Sequence, residues 1–172
     1  EVKEKVAEKK ITHWDTDVSI KNQVMEKGYI SVDEFYRFRL ITDVANQLFF
    51  KKHKKYQQGS IKITVDGRPA QVWFPTISTE SKEEHSQWLN YLNEDWSIIK
   101  EKNIRRDGKK ITNEVGELRV VFARMKDSFG KFNYRYIGNF ELKEISEDSN
   151  SREYRKVSDR LYIDYENEKL SM

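Results

Sequence analysis

The sequence predicts an α+β domain: a curved antiparallel sheet, or a partly open β-barrel, with a helix at about residues 31–50 packed against it. Three observations carry this. Apolar residues recur at helical spacing at Phe35, Phe38, Ile41, Ala45, Leu48 and Phe49. From Ser60 onward, segments that alternate apolar and polar residues replace that period, with turn residues between them. Finally, nine Phe, nine Tyr and four Trp in 172 residues supply core bulk that a hydrophobic fraction of only 37% understates.

The elements follow in order. "EVKEKVAEKK" is charged and poor in apolar residues, so residues 1–18 read as a charged N-terminal arm and 19–172 as one domain. Ser31 followed by Glu34 matches a capping box, with Ile30 placed to pack back on the first turn of the helix. "KKHKKYQQGS" is a basic run closed by glycine. "SIKITV", "DGRP" and "AQVWF" make a hairpin over residues 60–74. Residues 81–92 fit either a helix, on Trp88, Leu89 and Leu92, or a long loop carrying Trp88 and Trp96. "SIIKEK" is a short strand and "NIRRDGKK" a basic turn. "GELRVVFARMKD" and "KFNYRYIGNFELKE" are two long strands, and "REYRKVSDRLYIDY" ends the chain as a further strand, broken near Ser158. No repeat, heptad or Pro/Gly-rich linker divides the chain.

Charge excludes less than it first suggests. Lys and Arg number 32 against 29 Asp and Glu, a net charge of +3, so both signs crowd the surface and global charge announces no polyanion partner. The absence of cysteine removes disulfides and thiolate metal sites and suits a reducing, cytoplasmic home. No apolar run reaches the length of a membrane span and no signal peptide is visible, so no membrane role is expected. The chain opens on Glu1 rather than Met, which fits a domain cut from a longer protein. His13, His53 and His85 lie far apart, and no Gly-rich phosphate loop, Gly-x-Ser-x-Gly or dinucleotide fingerprint occurs; no metal or cofactor is expected.

The two long strands hold the most chemistry. With Asp127 to Lys131 as the loop, Lys126 pairs Phe132, Arg124 pairs Tyr134, Phe122 pairs Tyr136, Val120 pairs Gly138 and Leu118 pairs Phe140. Both faces are then at least half apolar, the signature of central strands covered on each side. Most of these aromatics read as core, yet Arg124 beside Tyr134 needs a partner or the rim of a cavity. Glu141-Leu142-Lys143 raises an alternative, a Mg²⁺-dependent nuclease, because two carboxylates and a lysine can hold a metal and orient water. Asp127 lies roughly 30 Å from Glu141 along the strand. Glu117, across from Glu141 in this register, is the better second carboxylate, so the alternative site is Glu117, Glu141 and Lys143.

Two basic patches stand apart: Lys51, Lys52, Lys54 and Lys55 at the helix end, and a turn containing Arg105 and Arg106. Solvated lysines complementing a helix dipole would look the same, but on one rim these residues would form a phosphate track. Trp73, Trp88 and Trp96 fall in or beside loops, where tryptophan either lids a core or stacks a base.

"LRVVFARMKDSFGKFNYRYIGNFEL" with "REYRKVSDRLYI", supported by "FRLITDVANQLFF", "KYQQGSIKI" and "VWFP", resembles modules attached to bacterial restriction and defence nucleases, the modified-base readers of the SRA/PUA-like superfamily. The likeness spans roughly residues 30–163. It implies a curved sheet holding a flipped nucleotide between aromatic side chains while basic loops grip the backbone. The expected function is a non-catalytic DNA-binding module, a sensor of modified bases in a restriction or phage-defence system, working with a nuclease domain or subunit. Lys51, Lys52, Lys54, Lys55, Arg105 and Arg106 would meet phosphates; Trp73, Trp88, Trp96, Arg124, Tyr134 and Tyr136 would form the base pocket. A protein-interaction module, with the aromatics as anchors, is the third reading.

Overall fold

The computed structural model describes residues 17–34, 36–50, 60–78, 88–103 and 113–172. The chain begins there with a helix, α1 (Asp17–Lys27), which the charged sequence does not announce. Gly28 stops it in a left-handed conformation, φ 79°, with its N–H donating to Val24 O at 2.8 Å. β1 (Tyr29–Ser31) and α2 (Ile41–Leu48) follow. The remaining elements are strands: β2 (Ser60–Val65), β3 (Arg68–Trp73), β4 (Trp88–Leu92), β5 (Ile98–Asn103), β6 (Leu118–Lys126), β7 (Phe132–Ile145), β8 (Ser151–Ser158), β9 (Arg160–Asp164) and β10 (Lys169–Ser171). Seven of them form one sheet in the order β2-β3-β6-β7-β8-β5-β4, antiparallel except for the parallel β3–β6 pair; β1, β9 and β10 form a second, small sheet.

The expected helix over 31–50 is much shorter, only α2. Two backbone pairings prevent the rest. Ser31 ends β1 opposite Arg160 of β9. Seven residues later Phe38 exchanges hydrogen bonds with Tyr134, its N–H donating at 2.9 Å and its oxygen accepting at 2.8 Å, so it lies in an isolated bridge to β7. Ser31 and Glu34 therefore cap nothing: Ser31 Oγ accepts from the Asp33 N–H, and Glu34 pairs with Lys27 at 2.8 Å. The true helix start is Leu40, whose N–H donates to Asp43 Oδ2. Phe35 lies outside the described residues.

The β6–β7 hairpin keeps the expected pairing from Lys126↔Phe132 to Phe122↔Tyr136, and Asp127 Oδ1 closes its loop by accepting from the Phe129 and Lys131 N–H groups. Beyond Phe122 the register differs. A bulge leaves Ile137 without an opposite residue, so Val121 meets Gly138, Arg119 meets Phe140 and Leu118 meets Glu141. Because side chains alternate, this one-residue step moves Phe140 and Leu142 to the opposite face from the one expected.

Each face of the large sheet carries its own core. On the first, Phe122 packs with centroid distances of 5.5–6.1 Å against Tyr136, Phe38, Phe49 and Phe74, and α2 adds Val44, Ala45 and Leu48. On the second, Val121, Ile137, Phe140 and Leu142 meet Ile99, Trp73 and Tyr154. The segment after β3 runs beside β6, with Arg124 N–H donating to Pro75 O and Ile77 N–H to Arg124 O. It then reaches the far edge strand, where Ser78 N–H donates to Asn90 O at 2.8 Å. The sheet stays open, but this segment ties β6 to the edge strand β4. Among the described residues no helix is long and apolar enough to cross a membrane.

Gly138 sits in the bulge at φ 124°, and a Cβ there would come within 3.0 Å of Ser158 O. Gly138→Ala should therefore cost about 2 kcal/mol or more, read as a lowered urea midpoint. Gly67→Ala, at φ 75° with open space around it, should cost about 1 kcal/mol.

Candidate nucleic-acid interface

A cleft of about 490 Å³ opens on the second face of the large sheet. Strand alternation builds it. Gln71 and Trp73 of β3 face the same way as Arg119 of β6; Asn90 of β4 is opposite Glu101 of β5, which is opposite Arg152 of β8. Trp88, two residues from Asn90, shares its face. Pro75 to Ser78, the segment linking the sheet's ends, forms one wall.

The floor is charged and nearly sealed. Arg152 Nη1 donates to Glu101 Oε1 at 3.0 Å, with side-chain exposures of 6% and 7%. Burial pushes the Glu101 carboxyl up from the ordinary range, while the neighbouring Arg119 and Arg152 charges pull it back. The Arg119 guanidinium lies 4.7 Å from the Trp73 ring and 4.9 Å from that of Tyr154, and Arg152 lies 5.1 Å from Trp88. Burial also raises the Tyr154 hydroxyl to about 12, so it stays protonated at neutral pH. Buried polar groups are normally satisfied. Among the described residues, Asn90 Oδ1, Arg119 Nε, Arg152 Nε and Tyr154 Oη are all buried and make no well-formed hydrogen bond. Aromatic faces beside unsatisfied donors and one acceptor suit a flat, polar-edged ligand.

Of the residues expected to form the base pocket, Trp73 and Trp88 line this cleft. Trp96 packs on the edge of the second core in the β4–β5 turn, with the Arg135 guanidinium 4.7 Å from its ring. Arg124 finds its partner in Phe132, 4.2 Å away. Tyr134 is half-buried on the first core against Phe74. Tyr136 is sealed there, its hydroxyl donating to Asn139 Oδ1 at 3.0 Å. These last three belong to the sheet face or loop away from the cleft because the hairpin pairing that unites them places Phe122 and Tyr136 toward the first core. Lys51, Lys52, Lys54, Lys55, Arg105 and Arg106 lie outside the described residues.

For the alternative site, the bulge replaces Glu117 with Leu118 opposite Glu141. Glu117 instead accepts from Asn113 Nδ2 and the Glu114 N–H, and Glu141 takes Lys143 at 3.0 Å. Among the described residues no group of three His, Cys, Asp or Glu could hold a metal. Sequence reasoning missed Asn90, Glu101, Arg119, Arg152 and Tyr154. One signal was present: alternation in "SIIKEKN" puts Glu101 in line with Ile99, an acid on an apolar face.

The sequence model of the SET and RING associated domain, SRA, matches residues 23–163. The chain belongs to the SRA family. The likeness read from the β6–β7 sequence thus stands: this is an SRA-type module, the kind that reads modified bases in DNA. Among solved structures, the 5-hydroxymethylcytosine-specific restriction enzyme AbaSI shares the fold, with a TM-score of 0.66 and 22% identity over 91% of this chain and 50% of that one. The SRA chain therefore spans about half the length of AbaSI. No curated protein matches the sequence.

Removing the buried carboxylate of the floor should show what it holds. Glu101→Ala strands Arg152 as a buried, uncompensated charge and should cost about 3–5 kcal/mol, measured by urea unfolding.

Proposed function

We propose that this SRA domain binds duplex DNA and takes an extruded, modified cytosine into the cleft between Trp73 and Trp88. The observation that carries this is the set of buried, unsatisfied groups beside two tryptophans. Cytosine offers an amino donor that Asn90 Oδ1 would accept, and a ring acceptor that the Arg152 Nε–H would meet. The name of AbaSI supports cytosine as the base and a 5-substituent as the mark. Extrusion costs a few kcal/mol, and stacking contributes about 1–3 kcal/mol per base, enough to offset most of it.

Lys51, Lys52, Lys54, Lys55, Arg105 and Arg106 would neutralise phosphates, positioning the duplex without reading sequence. Trp96, Arg124 and Tyr134 would act through the wall and hairpin rather than on the base, and Tyr136 through packing alone. Cleavage would belong to a nuclease domain or subunit outside this module, within a bacterial restriction or phage-defence system in the cytoplasm. The module itself needs no metal or cofactor for binding.

Fluorescence anisotropy with duplexes carrying one cytosine, 5-methylcytosine or 5-hydroxymethylcytosine at the same position tests this. A modified duplex should bind more tightly than the plain one, and Trp88→Ala or Asn90→Ala should weaken that preference about tenfold. Equal affinity for every duplex overturns the reading. If the basic segments act together, log K should also fall with log salt by roughly 0.9 per phosphate contacted.

A further inference from the structure

Arg119 is the odd member of the cleft. It is 6% exposed, lies against Trp73 and Tyr154, and its Nε is buried with no hydrogen-bond partner among the described residues. Its nearest carboxylate, Glu117, stands 3.9 Å from Nη2, beyond hydrogen-bond reach, and spends its own oxygens on Asn113 Nδ2 and the Glu114 N–H. Glu101, the one buried carboxylate of the floor, is held by Arg152. Two buried guanidinium groups thus share one buried carboxylate, and a guanidinium taken out of water without an acceptor is costly.

We propose that Arg119 is the receptor for a negatively charged substituent on the extruded base, so that the cleft prefers 5-carboxylcytosine to cytosines with neutral 5-substituents. This rests on the cleft being the base-reading site. A planar fork of donors matches a carboxylate in geometry as well as charge. The Tyr154 hydroxyl, beside the same guanidinium, supplies a further donor. A hydroxymethyl group would accept a hydrogen bond but bring no negative charge to Arg119, whose contact with Glu117 is long.

A backbone phosphate offers similar chemistry, yet the location disfavours it. Arg119 lies within the sheet, between Gln71 of β3 and Phe140 of β7, against Trp73. A phosphate joined to nucleotides on both sides stays at the rim, whereas the edge of an extruded base can reach the floor.

The test uses duplexes identical except at one central position, which holds cytosine, 5-hydroxymethylcytosine, 5-carboxylcytosine or an abasic sugar. With the unaltered protein, the carboxyl duplex should bind about tenfold more tightly than the hydroxymethyl duplex. Arg119→Gln should erase that difference, and Arg119→Lys should restore part of it. Equal or weaker binding of the carboxyl duplex by the unaltered protein overturns the proposal without relying on any variant. So does an abasic duplex that loses as much affinity on Arg119→Gln as the carboxyl duplex does, which would make the group a phosphate contact. Should hydroxymethylcytosine surpass plain cytosine while carboxylcytosine does not, base reading stands and the Arg119 assignment falls; should no duplex differ, both fall.

Discussion

Everything in the domain is arranged about the β6–β7 pair, because it is the part of the sheet covered on both faces. A strand pair in that position must give each face a complete apolar set, and a strictly regular ladder through this sequence does not. With the pairing continued unbroken, Phe140 would join Phe122 and Tyr136 on the first face and leave the second short of its largest ring. The bulge at Ile137 resolves this by one residue of slippage. Gly138 makes the step possible, since its backbone angle and the approach of Ser158 O leave no place for a side chain. The same slippage brings Phe140 to the second face beside Arg119, which strand alternation along β6 already places there.

The cleft is hard to explain as packing alone. Buried ion pairs contribute little to stability, since the loss of hydration offsets most of the attraction, and apolar replacements of similar volume are often neutral or better. Glu101 and Arg152 at least satisfy each other in part. Arg119 does not have that excuse, and neither does Asn90 Oδ1, which faces the same space. A core needing only bulk there would do better with leucine and phenylalanine, as the other end of the second face does with Ile99 and Leu142. Unsatisfied polarity beside aromatic rings is the pattern of a site held ready for a ligand that completes it.

Much of the fold was readable because strands advertise themselves by alternation. The β2–β3 hairpin, the β6–β7 loop at Asp127 and the break near Ser158 all follow from local pattern. What failed did so for non-local reasons. The apolar period from Phe35 to Phe49 is real, but Phe38 is claimed by Tyr134, nearly a hundred residues later, and the helix loses its first half to that pairing. The bulge left a single mark, Gly138 isolated within a strand pattern, which does not say which way the register steps. At the site, Trp73 and Trp88 were visible as tryptophans near strand ends. Glu101, Arg119 and Arg152 were not, since in a chain that is 35% charged each resembles a solvated residue until the sheet places the three together.

The aromatic abundance that first suggested a base-stacking platform divides into two roles, and the division follows what lies next to each ring. Phe38, Phe49 and Tyr136 each pack on Phe122 in the first core, so they are explained by area removed from water. Trp73, Trp88 and Tyr154 each lie against a guanidinium. An arginine stacked on a ring keeps the ring's position fixed while leaving its own donors at the edge free to meet a partner, a combination that favours a prepared pocket over one formed on binding. A modest net charge of +3 then becomes consistent with a DNA reader. Broad electrostatic attraction would hold any duplex equally, whereas two enclosed cations opposite one carboxylate act on whatever enters the hollow, so in the proposed reading discrimination comes from the cleft and not from net charge.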